Sequence, residues 1–504
     1  IKNGEIQSKQ ILTTNLILFN VIFTNNTSGT VRSSLNIHNI ASVSMIGCIF
    51  ISNRAKRGGS ISVKNLRFLF IRLSIFSRNS ANTAGGAIYV VKINNIILDN
   101  VFIMGNSGST YGGGLNALQC NQVILQECNI SKNTAAIGGG GLAFDDCNKI
   151  QFISSKITAN FAKMHGAGVY FKSIGAIKNH TKMNFNSQSN SKFDNLSNAA
   201  FSINHSYKIM EHSQHVFTFE IIQCSFLNNS AFKNGAAIFA SNILNLTISK
   251  TSFGENKCAS NGGVIFAEDM SMSNIVQCIF HKNIGGGVYF LNSKILKIMN
   301  TNFSCNRALS GGAIFTSNVL YVQYYNCLFI RNIARRLGGA VHTYKTNYIV
   351  DRRSVFSNTY AYSRGAALYI SHSVETHIDL SIFSSNKYSA IDSSTGIIFM
   401  VRNCTFKNNT SDSYGGGIYM IEMNLVFLWG LTFITNTAED GGAVWIRELQ
   451  NVSISNSYFT NNAAVSKSGG GLYLYDLSQV IITNSNFSCN RAQRGGALYA
   501  SSVI

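Results

Sequence analysis

The chain of 504 residues contains no proline. Average usage would supply about 25. Proline has no N–H to give to a sheet ladder, so a parallel sheet accounts for part of the absence. Turns accept proline readily, so the remainder is a compositional bias toward Asn, Ile, Lys, Phe and Tyr. Charge is also scarce: 12% of residues are ionic, about half the usual share, and acidic residues are the scarcer kind, 21 against 41 basic, for a net charge of +20. Long apolar runs are missing. The longest, Leu425 to Ile434, is too short to cross a bilayer as a helix. The eleven cysteines include no C-x-x-C pair, which speaks against a zinc site. No nucleotide-binding loop or nucleophile motif is present, and no cofactor is called for. The chain opens on Ile1 without a charged-then-apolar signal segment, and both its ends fall inside a repeat. It is therefore expected to be a segment of a longer protein, with any membrane anchor in parts outside it.

What the sequence does contain is a repeat of roughly 27 residues. Its anchor is an apolar residue, usually Phe, followed three residues later by Asn. The anchors are Phe23, Phe50, Phe76, Phe102, Ile130, Ile157, Phe226, Phe253, Phe280, Phe303, Phe329, Phe356, Phe383, Phe406, Phe433, Phe459 and Phe487. Asn slips by one after Phe102 and Phe356. About nine residues beyond the anchor comes Gly, Gly or Ala, a small residue, an aliphatic and usually an aromatic, as in Gly311-Gly312-Ala313-Ile314-Phe315.

Each piece has a physical reading. Apolar residues at −7 and −5 from the anchor, and a small one at −2, mean two short strands meeting at a bend. The anchors should stack inward. The Asn should sit in a left-handed turn and form an amide ladder with its neighbours. The Gly pair should permit unusual backbone angles and close approach. A single coil cannot bury its own apolar face, but stacked coils can. The expected fold is all-β: a single-stranded right-handed parallel β-helix over residues 1–504, of about seventeen coils, and about 80 Å long at sheet spacing. Ile157 and Phe226 are 69 residues apart. The excess, near 173–215, is expected to form a lateral insertion loop. It carries the sequons at Asn179, Asn195 and Asn204, which would accept glycans if the protein is secreted by a eukaryote.

Phe-x-x-Asn paired with Gly-Gly-Ala-Ile/Leu-Tyr resembles the repeat of the chlamydial polymorphic outer-membrane proteins. Similar repeats occur in large surface proteins of other bacteria and of protists such as ciliates. The resemblance covers nearly the whole chain apart from the insertion. It implies a pectin-lyase-like β-helix on the cell surface or secreted, often adhesive: at the outer membrane in a bacterium, at the plasma membrane or outside the cell in a protist. The bacterial relatives follow such a passenger with a membrane barrel, and none is visible here.

Nine coils place Lys or Arg beside the ladder Asn: Arg54, Arg78, Lys132, Lys257, Lys282, Arg307, Arg331, Lys387 and Arg491. This basic edge suits acidic glycans. Other surface proteins are a further partner class, and nucleic acid is not expected, since no stacking aromatics are evident there. Its plainer reading is a solubilising surface.

The leading functional expectation is a non-enzymatic scaffold or adhesin-like rod, with a binding rod for acidic polysaccharide as one alternative. The other alternative is a polysaccharide lyase or hydrolase. That enzyme would need carboxylates clustered on neighbouring coils. The nearest approach is Glu422, Glu448 and Asp476, which recur in one slot of three successive coils. The same slot elsewhere holds Asn65, Lys92 and Gln119, which favours a plain polar turn. His212 and His215, beside Glu211, are the only residues with metal-ligand spacing. Cys48, Cys128, Cys224, Cys278, Cys327 and Cys404 fill the small slot at −2 and read as buried thiols. Cys120 and Cys147 share one slot on adjacent coils, within disulfide reach, and are the single disulfide candidate.

Overall fold

The architecture follows from how little of each coil is free to vary. A computed structural model describes residues 14–28, 33–173, 217–258 and 262–503. Among them every strand pairing is parallel, and each strand meets its equivalent one repeat later. Seventeen three-residue anchor strands stack in one column, from Ile22–Thr24 to Asn486–Ser488, giving about sixteen full turns. We number the coils 1 to 17 by these strands. No helix occurs among the described residues.

The coil containing Phe253 shows how the chain turns. Ile238–Ser241 and Asn245–Ser249 form two strands of one face, Ser252–Gly254 the anchor strand and Lys257–Cys258 a short third face. Single residues in the left-handed region separate them: Asn242 at φ 58°, Lys250 at 50° and Glu255 at 54°. The phase slip in the apolar pattern is therefore a corner.

The anchors stack as expected. Phe253, Phe280 and Phe303 are fully buried, with ring centroids 4.6 and 4.7 Å apart and planes within about 11°. Each buried Phe contributes about 1.5–3 kcal/mol of transfer free energy. The fourth coil corrects the expected register. Phe102 pairs with Asn129 and is 37% exposed, while Ile103 pairs with Ile130 and is buried. With Ile103 as anchor, Asn106 falls at +3 and the slip disappears. The phase of the strand, one side chain in and the next out, overrules the larger side chain here.

The Asn ladder is present, with one correction. The left-handed residue is the one before the Asn, as in Arg78, Lys132, Lys282 and Arg331 at φ 52° to 56°. The Asn itself points inward. Asn79 shows the pattern: its backbone N–H and Nδ2 both donate to Oδ1 of Asn106, and Nδ2 also donates to the Phe50 carbonyl. Its own Oδ1 accepts from the N–H and Nδ2 of Asn53. Every polar atom of the buried amide is satisfied. In coil 12 Thr359 takes the ladder place and donates its hydroxyl to Asn386, while Asn358 is the exposed left-handed residue before it.

The Gly pair is a steric requirement. Gly311 sits at φ 63°, and a Cβ on Gly312 would lie 2.2 Å from the Gly339 carbonyl oxygen of the next coil. The small slot at −2 does more than save space. The Cys48 N–H donates to the Ser74 hydroxyl of the next coil, which donates in turn to the Arg72 carbonyl. This closes the hydrogen-bond ladder where the corner interrupts it. Cysteine substitutes in the same role, for Ser155 N–H donates to Cys224 Sγ.

Coils 6 and 7 stack directly, Ile157 on Phe226. The insertion expected near 173–215 falls, except for Ser173, outside the described residues, as do Glu211, His212, His215 and the three sequons.

Candidate functional site: a basic edge and its aromatic notch

Because the ladder Asn must point inward, the residues on either side of it point out. All nine flanking cations are exposed, and none makes an ion pair among the described residues. They occupy two columns. Arg78, Lys132, Lys282 and Arg331 stand on left-handed corners. Arg54, Lys257, Arg307, Lys387 and Arg491 follow the Asn in or beside the short third face. The distribution along the rod is uneven. Lys257, Lys282, Arg307 and Arg331 lie on four successive coils, 8 to 11, alternating between the columns. Coils 14 to 16 carry Thr410, Thr437 and Ala463 in the following column and no cation in either.

Two coils of this edge are cut short. The distance from ladder residue to the next aliphatic is nine residues in coil 12, Thr359 to Leu368, and nine in coil 14, Asn409 to Ile418. In coil 13 it is five, Asn386 to Ile391. Coil 9 is shortened in the same way, from Asn283 to Val288. In coil 13 the missing residues leave a notch one coil wide. Tyr360 and Tyr362 of coil 12 border it, with ring centroids 4.7 Å apart and planes at 80°. Tyr388 lies in it, 5.7 Å from Tyr360 at 70°. The Lys387 ammonium is 5.7 Å from the Tyr360 ring. Aromatic rings thus do occur on the basic edge, standing edge to face. They were missed because the coil shortening brings Tyr388 beside residues that it does not align with in the repeat.

The carboxylates of the enzyme alternative sit on corners. Glu422, Glu448 and Asp476 have φ of 56°, 58° and 56°, like Lys92 and Asn242 in the same slot. Glu422 accepts from the Thr395 hydroxyl at 3.0 Å, and Glu448 pairs with its neighbour Arg447. The slot is a column of stacked corners. No group of three His, Cys, Asp or Glu residues able to hold a metal occurs among the described residues.

A second aromatic column runs on the outside, directly after the aliphatic of the Gly motif. Tyr419, Trp445, Tyr473 and Tyr499 stack at centroid distances of 4.8, 5.7 and 5.1 Å. Asp392 interrupts this column between Tyr369 and Tyr419. The Arg364 guanidinium fills the gap: it binds Asp392 through two hydrogen bonds of 2.7 and 2.9 Å and lies 4.6 Å from the Tyr419 ring. Burial raises the Asp392 carboxyl to about 6 even against the pull of Arg364. The recurring aromatic was visible in the sequence, but Arg364 as its replacement was not, since it comes from the coil before.

Cys120 and Cys147 do occupy neighbouring positions. Leu118 pairs with Asp145, and the Asn148 N–H donates to the Cys120 carbonyl. Both thiols are buried, adjacent and free. Burial and the neighbouring Cys120 hold the Cys147 thiol well above the usual range. In the −2 slot, burial pushes Cys224 and Cys278 up to about 11 and Cys327 up to about 12, so these are inert thiols at neutral pH.

Parallel coils of this length, stacked on an Asn ladder, define a β-solenoid protein. Residues 339–503 match the right-handed β-helix region, and residues 74–91 match the Chlamydia polymorphic membrane protein repeat. The chain is thus similar to a right-handed β-helix region over its last third and to the polymorphic membrane protein repeat over one coil, within a parallel β-solenoid that runs through all the described residues. It is 28% identical over 170 residues to the probable autotransporter YfaL of Escherichia coli K12, covering 32% of this chain and 13% of that protein. It is 29% identical over 200 residues to the metabotropic glutamate receptor-like protein R of Dictyostelium discoideum, covering 38% and 12%. The chain therefore spans about an eighth of the length of these curated relatives. No solved structure matches.

Proposed function

We propose that this segment is a non-enzymatic, surface-exposed adhesive rod whose binding face is the basic edge, densest over coils 8 to 13. The observation that carries this reading is the unbroken run Lys257, Lys282, Arg307 and Arg331: four exposed cations on successive coils, about 4.8 Å apart along the rod. A polymer with one anionic group per monomer, such as an acidic polysaccharide, meets such a row along its length. The repeat type and the distant likeness to an autotransporter support a surface location. The corner position of Glu422, Glu448 and Asp476 supports a binding role over hydrolysis.

Retention on immobilised heparin tests this. It should fall steeply with salt, as for any binding through exposed charges, and fall again in the Arg307→Ala, Arg331→Ala double variant. Retention indifferent to both changes would leave the edge a solubilising surface.

A further inference from the structure

We infer that the notch at coil 13 is a saccharide subsite, taking one acidic sugar unit of a polysaccharide that runs along the basic edge. The inference rests on the proposed function and adds a place and a chemistry to it. Coil 12 and coil 14 face each other across the four missing residues, so the opening is two coil spacings wide, about 10 Å. The H-bond pattern marks its floor: Tyr388 N–H donates to the Thr410 carbonyl of coil 14, and Ala366 N–H of coil 12 donates to the carbonyls of Tyr388 and Ser389.

On the coil 12 wall, Tyr362 has no turn residue beyond it and is 61% exposed. Its N–H donates to the Ala334 carbonyl, which sets it one coil beyond Arg335. Lys387 lies in the notch, its ammonium 5.9 Å from the Tyr388 ring, and the exposed Asp412 lies on the coil 14 wall. These groups match the parts of an acidic sugar. A pyranose has an apolar C–H face, which an exposed ring can cover. Its carboxylate or sulfate meets Lys387, and Arg335, on coil 11 beyond the coil 12 wall, meets the anionic group of the neighbouring unit along the edge. Its hydroxyls meet the Asp412 carboxylate.

The ring geometry favours a sugar over a nucleic-acid base. The three tyrosines stand edge to face, at 80° and 70°, and so offer single ring faces without a slot between parallel planes. A base in a single-strand site stacks on successive ring faces. The coil 9 notch provides an internal contrast, being floored by Ile284 and three glycines, Gly285 to Gly287, with no aromatic.

The test compares three probes on the full chain: heparin, inorganic polyphosphate and an oligothymidylate. Tyr362→Ala should weaken heparin about tenfold, leave polyphosphate affinity unchanged and leave the salt dependence of heparin binding unchanged. Tyr362→Phe, which keeps the ring, should bind heparin as the parent does. Arg335→Ala should weaken heparin and polyphosphate alike. Circular dichroism and melting of each variant check the fold, and the exposed position of Tyr362 makes unfolding a poor explanation of any loss. If Tyr362→Ala leaves heparin binding intact while Arg335→Ala weakens both polymers, the basic edge stands and the saccharide subsite is overturned. If Tyr362→Ala weakens oligothymidylate more than heparin, the notch is a nucleic-acid site and the inference is overturned. If the parent chain binds none of the three, the proposed function falls and the subsite with it.

Discussion

The inside and the edge of coils 8 to 11 are built from adjacent residues under opposite rules. Inside, Phe253, Phe280, Phe303 and Phe329 stack without exception, and Asn256, Asn283, Asn306 and Asn332 follow them. One residue away on the edge, Glu255, Lys282, Cys305 and Arg331 share a left-handed corner that none of them favours sterically. The interior repeats because each side chain is the template for the next. The edge has no such partner, so its residues are free to serve something other than stability. The contrast implies that interior substitutions change folding and leave binding alone, and that edge substitutions do the reverse.

The largest break should come from Phe280→Ala. Loss of burial and the cavity between Phe253 and Phe303 should cost about 3–5 kcal/mol. In a repeat array this is read as lost hydrogen-exchange protection in coils 8 to 10, since a single unfolding transition is not assured.

A second interior effect depends on pH. Asp351 faces the core between Tyr324 and Ile378, in a column otherwise filled by apolar or aromatic residues. It is 1% exposed, accepts from the Ser381 hydroxyl at 2.7 Å, and is raised by burial to about 6. Its folded value lies above its unfolded one. The stability it contributes is therefore fully present below about pH 4 and lost as pH rises through about 6, on the order of 3 kcal/mol. Asp351→Asn should remove that slope from thermal melts between pH 4 and 7, and raise the melting temperature at pH 7. An unchanged slope would mean that this carboxylate is solvated.

Asn283→Ala removes two donors and an acceptor from the ladder, stranding the Phe253 carbonyl and the Asn256 amide. About 2–4 kcal/mol is expected from these unmade bonds, again localised to coils 8 to 10 by hydrogen exchange. Smallest is the edge change Arg331→Gly. Relief of the left-handed corner should stabilise by up to about 1 kcal/mol, measured by denaturant titration, while heparin retention falls. A variant that loses both stability and retention would undo the separation of inside from edge.

Most of the fold was legible in the sequence because templated positions repeat. Phe, Asn and the Gly pair announce themselves through period alone, and the −2 slot does so through its small residues. What stayed hidden depends on departures from the period. Ile103 beside Phe102 required the inward-outward alternation to be weighed above side-chain size. Tyr388 meets Tyr360 only because coil 13 is short, and Arg364 completes an aromatic column from a coil away. The candidate site is legible in the same measure: its nine cations lie at regular offsets, whereas the notch arises where regularity fails.

The ladder also gives the rod an electrical direction. Between Asn26 and Asn332, and again from Asn386 to Asn490, each ladder amide's oxygen accepts from the lower-numbered coil and one of its Nδ2 hydrogens goes to the oxygen of the higher one, the other returning to the anchor carbonyl below. Parallel amide dipoles add, as peptide dipoles do in a helix, whereas a β-sheet backbone has only a small net dipole. The side chains thus confer what the strands lack: a partial negative pole at the coil 1 end and a positive one at the coil 17 end. Thr359 divides the column into two head-to-tail segments without reversing either. Two such rods laid side by side would accordingly prefer opposite senses, and rods joined end to end the same sense.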